Sequence, residues 1–387
     1  MTSARRTLKV TGSDLVERVR AASARPSDLG GESLNSISLA LGESTDSTPP
    51  EIVRAAVASL AAGRTRYELV TGSPRLRARI AEAFNAEGIE SLNSDNVVVT
   101  HGASAGLAAA ILALVNPGDV AVLPEPTYSL YADQVAMAGG RVRWVPNDVG
   151  GRPRLNQLGA AMSGARLLVM CNPSNPTGYV LAAEELTAIV ALAAEHDANV
   201  IFDEAYRDVV FDGVSFASSA PLVPGNPHVL CCGTFSKSFA MTGWRLGWVL
   251  ADKENADAIN LVHRTINGPL STFVQDAASS ALSLPHGHLQ RAVSELQVRR
   301  DLVCAYLGAM SGVEAAIPQG AFYVFPRIDR GLTSAELTSR LAKSGVLVRA
   351  GSEYGPSGEG HIRISFALNT SQLREGMERI SECILQI

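Results

Sequence analysis

The chain has 387 residues, 46% of them hydrophobic and 18% charged, with 33 basic and 38 acidic side chains and a net charge of −5. At about 150 residues per domain this is material for two or three domains with large cores, and a chain this apolar is not mainly disordered. No charge run exceeds a few residues, which excludes a broad basic face for nucleic acid.

In chain order, residues 1–35 carry weak periodicity and many Ser, Gly and Arg residues and read as an arm. Arg5, Arg6 and Lys9 are not followed by an apolar stretch, so a secretory signal is not supported. Strand-like and helical runs then alternate. Strands are predicted at 96–100, 119–123, 141–145, 166–171, 199–203, 228–232 and 245–250, and helices at 103–115, 130–138 and 183–195. Continuously apolar strands between amphipathic helices predict a mostly parallel sheet covered on both faces. The last third reads as a smaller α+β unit: a long helix at 288–310, short strands at 322–326, 346–349 and 361–366, and helices at 334–343 and 371–385. The longest apolar run, 105–115, is far short of the ~20 residues that span a bilayer, so no membrane is expected. Cys171, Cys231, Cys232, Cys304 and Cys383 form no CxxC pair. Reduced thiols in a cytoplasmic protein are the simpler expectation, and no metal is expected.

Three segments carry chemistry. In Thr234-Phe235-Ser236-Lys237-Ser238 a lysine sits among hydroxyls just past an apolar strand, with Arg245 eight residues on. Taken alone, this is equally a polar loop with a solvated lysine. The strand 199–203 ends in Asp203, with Tyr206 three residues later. Ligands of open α/β sheets bind beyond the carboxyl ends of the strands, although an aspartate there also serves as a helix cap. Cys171-Asn172-Pro173-Ser174-Asn175-Pro176-Thr177-Gly178 places two Asn-Pro turns after another strand; singly, each is only a turn signal.

Together, in this order and spacing, the three segments resemble the fold-type I pyridoxal 5′-phosphate (PLP) enzymes, and within them the class I/II aminotransferases. The resemblance runs from about Leu39 to Phe366. It implies a large domain with a seven-stranded, mostly parallel sheet between helices, plus a smaller α+β domain. The corresponding boundaries are 1–48 for the arm and part of the small domain, 49–285 for the large domain and 286–387 for the small one.

The resemblance also implies roles. Lys237 matches the lysine that holds the cofactor and moves the proton. Asp203 matches the carboxylate that keeps the pyridine nitrogen protonated. Asn175 and Tyr206 match the pair that faces the ring's phenolic oxygen, and Tyr128 matches the ring-stacking aromatic. The amides of Ala103 and Ser104, at the start of the helix after 96–100, match the phosphate cup, with Thr234, Ser236 and Arg245. Gly42, Asn175 and Arg363 match the substrate-binding residues at the α-carboxylate site, where arginine supplies a bidentate fork. Tyr67 matches a residue that reaches the neighbouring subunit's phosphate, which implies a homodimer with shared active sites.

Two segments depart from the family pattern. Ser44-Thr45-Asp46 replaces a usual Pro-Asp-Phe, and Ala350-Gly351-Ser352-Glu353-Tyr354 replaces Pro-Gly-Ser-x-Phe. Arg64, Arg66 and Glu353 are candidates to bias the side-chain pocket and read equally as solvated side chains. The expected activity is transfer of an amino group from an L-amino acid to a 2-oxo acid by a ping-pong route. The alternatives are a carbon–sulfur lyase or specialised biosynthetic PLP enzyme and a non-catalytic PLP-binding regulator, since one cofactor on one fold serves several reactions.

Overall fold

The structure is a computed structural model describing residues 13–26, 35–86 and 92–386. Seven strands form its main sheet: β1 (Val97–Thr100), β2 (Val120–Glu125), β3 (Arg141–Pro146), β4 (Leu167–Cys171), β5 (Asn199–Asp203), β6 (Val229–Thr234) and β7 (Gly247–Leu250). Their spatial order is β1-β7-β6-β5-β4-β2-β3. Only β7 runs against its neighbours. The carboxyl ends of the other six therefore share one edge.

Alternation along each strand explains the continuous apolar runs. In β5, Val200 and Phe202 enter the core on one face and Ile201 the core on the other; in β6, Cys231 and Cys232 divide the same way. One face is covered by α2 (Pro50–Ala61), α3 (Pro74–Asn85), α6 (Leu155–Ala161), α7 (Ala183–Glu195) and α9 (Thr272–Ala281). The other is covered by α4 (Gly102–Leu114), α5 (Leu130–Met137) and α8 (Lys253–Asn267).

A second core lies around α10 (His286–Gly308), α11 (Ser334–Lys343) and α12 (Thr370–Leu385), with the short strands β8 (Tyr323–Val324), β9 (Arg349–Ala350) and β10 (Ile362–Ser365). Ile37 and Leu39 belong to this core, and Ile37–Ser38 pairs in parallel with Val346–Leu347.

Three expectations need correction. The segment read as an arm contains a helix, α1 (Asp14–Ala22), fastened to α5 by Arg18 Nε donating to the Ala136 carbonyl at 3.2 Å; residues 1–12 and 27–34 of that segment lie outside the described residues. The strand expected at 346–349 is two, because Val346–Leu347 pairs with Ile37–Ser38 while Arg349–Ala350 pairs with β10. The strand expected from 245 begins at Gly247, because Arg245 adopts a left-handed conformation (φ 54°). Among the described residues no helix is long and apolar enough to cross a membrane, and all five cysteines are free thiols.

Candidate active site

The shared carboxyl edge of the sheet opens into a cavity of about 250 Å³. Of the residues matched to cofactor or substrate roles in the sequence, all but Tyr67 line it, whereas Arg64, Arg66 and Glu353, the candidates to bias the side-chain pocket, do not. Tyr67 is 93% exposed on the surface of the single chain.

The loop after β6 carries Lys237. Its Nζ donates to the Gly42 carbonyl at 2.6 Å. Burial pushes the ammonium down to about 8, with the Arg363 and Arg245 guanidinium groups acting in the same direction and Glu43 against it. An amine that sheds its proton near neutrality is a usable nucleophile and base. Gly42 must be glycine, since a Cβ there would collide with the Tyr323 hydroxyl.

Asp203 ends β5 and is buried. Its Oδ2 accepts the Tyr131 hydroxyl at 2.7 Å and its Oδ1 the Ala205 amide at 3.1 Å. Burial raises its carboxyl, while these two hydrogen bonds and the Lys237 charge pull it back. No ion pair among the described residues neutralises it. A buried carboxylate in this state fits a protonated ring nitrogen.

At the start of α4 the first amides have no partner within the helix, and Gly102 adopts a left-handed conformation (φ 76°). A Cβ on Gly102 would lie 2.7 Å from Arg245 Nη2, so glycine admits the guanidinium to the helix start. The left-handed backbone of Arg245 turns its side chain there, at a cost of about 1–2 kcal/mol for a non-glycine residue. Thr234 Oγ1 lies 2.9 Å from Ser236 Oγ and accepts the Ser236 amide at 3.1 Å. Hydroxyls, a cation and a helix N-terminus converging on one side make a cradle that fits a phosphate.

Opposite, Arg363 on β10 is buried. Its Nη1 donates to Asn175 Oδ1 at 3.1 Å and its Nη2 to the Ala40 carbonyl at 2.5 Å. Its Nε has no partner, and no carboxylate among the described residues pairs with it. The guanidinium is held over the Tyr323 ring at 4.1 Å and near the Tyr354 ring at 5.3 Å. A buried guanidinium with a free donor fits an incoming carboxylate. Tyr206 shares a 2.9 Å hydroxyl contact with Tyr323, and Tyr128 packs edge-on to Tyr131.

Several residues of the site were not anticipated. Tyr131 was visible only as one aromatic of Tyr128-Ser129-Leu130-Tyr131, and nothing in its spacing signals that it turns toward Asp203. Tyr323 follows Phe322 in an apolar strand and gives no sign of facing the cavity. Cys171 also lines the cavity, its thiol pushed up to about 12 by burial and the Asp203 charge. Behind α4, the fully buried His263 accepts the His101 amide at 3.2 Å. Arg64 does not reach the cavity, being held by Asp276 at 2.6 Å.

The sequence model of the aminotransferase class I and II family matches residues 35–380. The chain is 35% identical to the arginine–pyruvate transaminase AruH of Pseudomonas aeruginosa over 90% of both chains, and 36% identical to an aspartate aminotransferase of Pyrococcus abyssi over 90% of this chain and 91% of the relative. It superposes on the crystal structure of an aromatic aminotransferase from Pyrococcus horikoshii with a TM-score of 0.87 at 33% identity, covering 96% and 99% of the two chains. With the seven-stranded sheet and the cavity at its carboxyl edge, these likenesses establish that the chain belongs to the class I and II aminotransferases: it is a PLP-dependent enzyme of fold type I that transfers amino groups between amino acids and oxo acids.

Proposed function

We propose that the cavity at the sheet edge is the site of this transfer and that the residues lining it divide the work as follows. The cofactor, when bound, supplies an aldehyde that takes up the amino group and a ring that accepts electrons. Lys237 provides the amine that anchors it and carries the proton between carbon atoms. Asp203, oriented by Tyr131, holds a proton at the ring nitrogen. Asn175 and Tyr206 face the phenolic oxygen, and Tyr128 covers the ring. The amides of Ala103 and Ser104 with Thr234, Ser236 and Arg245 hold the phosphate. Arg363, with the Gly42 loop, orients the α-carboxylate of an L-amino acid or its 2-oxo acid. The observation that carries this reading is the juxtaposition, in one cavity, of an amine lowered to about 8 and a buried guanidinium with a free donor.

The working unit is a homodimer. Val53, Val57 and Leu60 form an exposed i, i+4, i+7 stripe on α2, and Leu261 and Ile266 on α8 are exposed as well. Such patches mark association surfaces. Tyr67 would complete the partner's phosphate site. The domain division is 1–48, 49–285 and 286–387, and the free thiols suit a cytoplasmic protein.

Borohydride reduction of the holoenzyme followed by peptide mapping tests the assignment. The cofactor is expected on Lys237; a label on any other lysine contradicts it.

A further inference from the structure

Arg349 and Arg363 stand directly opposite each other across the antiparallel pair β9–β10, so their side chains leave the sheet on the same face. Both line the cavity. Arg363 has a task in the reading above, and Arg349 has none. Two guanidinium groups on one buried face repel each other. The structure supplies one counter-charge: Glu353, four residues on, is buried and ion-paired with Arg349. The other oxygen of Glu353 accepts the Ala350 amide at 3.2 Å. Glu353 does not line the cavity; it faces the groove between α11 and the segment after α1. Arg25 lines the cavity too, and among the described residues the one carboxylate that does so is Asp203. Beyond the α-carboxylate position, the wall is therefore cationic, with its neutralising acid set behind it.

We infer that Arg349 is a specificity-determining residue that receives a carboxylate at the end of the substrate side chain, and that Glu353 is the internal competitor from which that carboxylate draws it. The substrates so favoured are amino acids and 2-oxo acids with a second carboxylate. The inference rests on the proposed role of Arg363. Neutral side chains leave the Arg349–Glu353 pair intact and gain nothing from it.

The test compares succinate with butyrate as ligands of the holoenzyme by titration calorimetry, alongside the half-reaction rates of glutamate and norvaline. The quantity read is the preference for the dicarboxylate. Glu353→Gln frees Arg349 at constant size and is expected to raise that preference roughly tenfold, the worth of one hydrogen bond to a charged group. Arg349→Met alone would strand a buried carboxylate, so it is paired with Glu353→Gln. The double variant is expected to fall about tenfold or more below the parent in preference. A preference within about twofold of the parent in both proteins, or a fall in Glu353→Gln, overturns the inference. If the double variant does not fold, Glu353→Gln alone decides. The parent reading is checked separately: Arg363→Met should weaken both ligands, and undiminished butyrate binding would contradict the Arg363 assignment itself.

Discussion

The two walls of the cavity are built on different terms. On the large-sheet side Asp203 is matched by Tyr131 and Ala205 and Thr234 by Ser236 and Leu246, while Lys237 and Asn175 reach across to Gly42 and Arg363. On the small-domain side Arg363 keeps a donor without a partner, and Arg349 is matched only by an acid set behind it. A matched wall is prebuilt for one constant occupant. An unmatched wall stays unsatisfied until an anion arrives, because a buried donor without a partner costs about 1–3 kcal/mol. The first suits the cofactor, and the second suits substrates that come and go.

Substitutions break this contrast in graded steps. Lys237→Ala is expected to have the largest effect. Single-turnover conversion of an amino acid should slow by ~10⁴, the upper range for a lost acid–base group; a loss below about tenfold would show that another group carries the proton. Asp203→Asn removes charge at constant shape. A unit charge about 3 Å from the ring nitrogen, at an effective dielectric near 20, is worth about 5 kcal/mol. If half of that is felt only in the transition state, the rate falls about 10²-fold. A half-reaction within about threefold of the parent would leave Asp203 a turn cap.

Arg363→Met should raise KM for every amino acid roughly 10- to 150-fold, the range of 1.5–3 kcal/mol for a charged hydrogen bond. Amines without a carboxylate should suffer less, and equal losses for both would mark Arg363 as structural. Loading of the apoprotein with cofactor sharpens the other wall. Only the neutral amine of Lys237 attaches, so the rate should rise about tenfold per pH unit below 8 and level off above it. A rate still climbing steeply past pH 9 would mean an unshifted lysine. Tyr131→Phe should be the mildest, slowing the half-reaction about tenfold or less. Because the Tyr131 hydroxyl lowers the Asp203 carboxyl, its loss should also move the acid limb of the pH–rate profile upward. An unmoved acid limb would separate Tyr131 from Asp203.

The same division governs what the sequence disclosed. The large wall stands on strands buried on both faces, and their unbroken apolar runs place Asp203 at a strand end and Thr234 just past one in the sequence itself. Its motifs are local: Thr234, Ser236 and Lys237 lie within three positions of one another, as do Asp203 and Tyr206. The small wall is assembled from distant pieces. Arg349 meets Arg363 only through a two-residue pairing, and the strand that carries it changes partners between Leu347 and Arg349. Nothing in residues 346–349 announces that change. Tyr323 and Tyr131 act through tertiary contacts that periodicity does not report. Helix α1 was hidden because its residues are exposed or half-buried, leaving no core stripe to read.

The most direct test of the two-wall account is a pair of dissociation constants, one for the cofactor and one for a monocarboxylate such as butyrate on the holoenzyme, measured in Arg363→Met. The account predicts a carboxylate constant at least about tenfold weaker with cofactor affinity changed far less, even though Arg363 Nη1 also holds Asn175. If cofactor affinity falls in step with carboxylate affinity, the walls act as one unit and the division of labour is wrong.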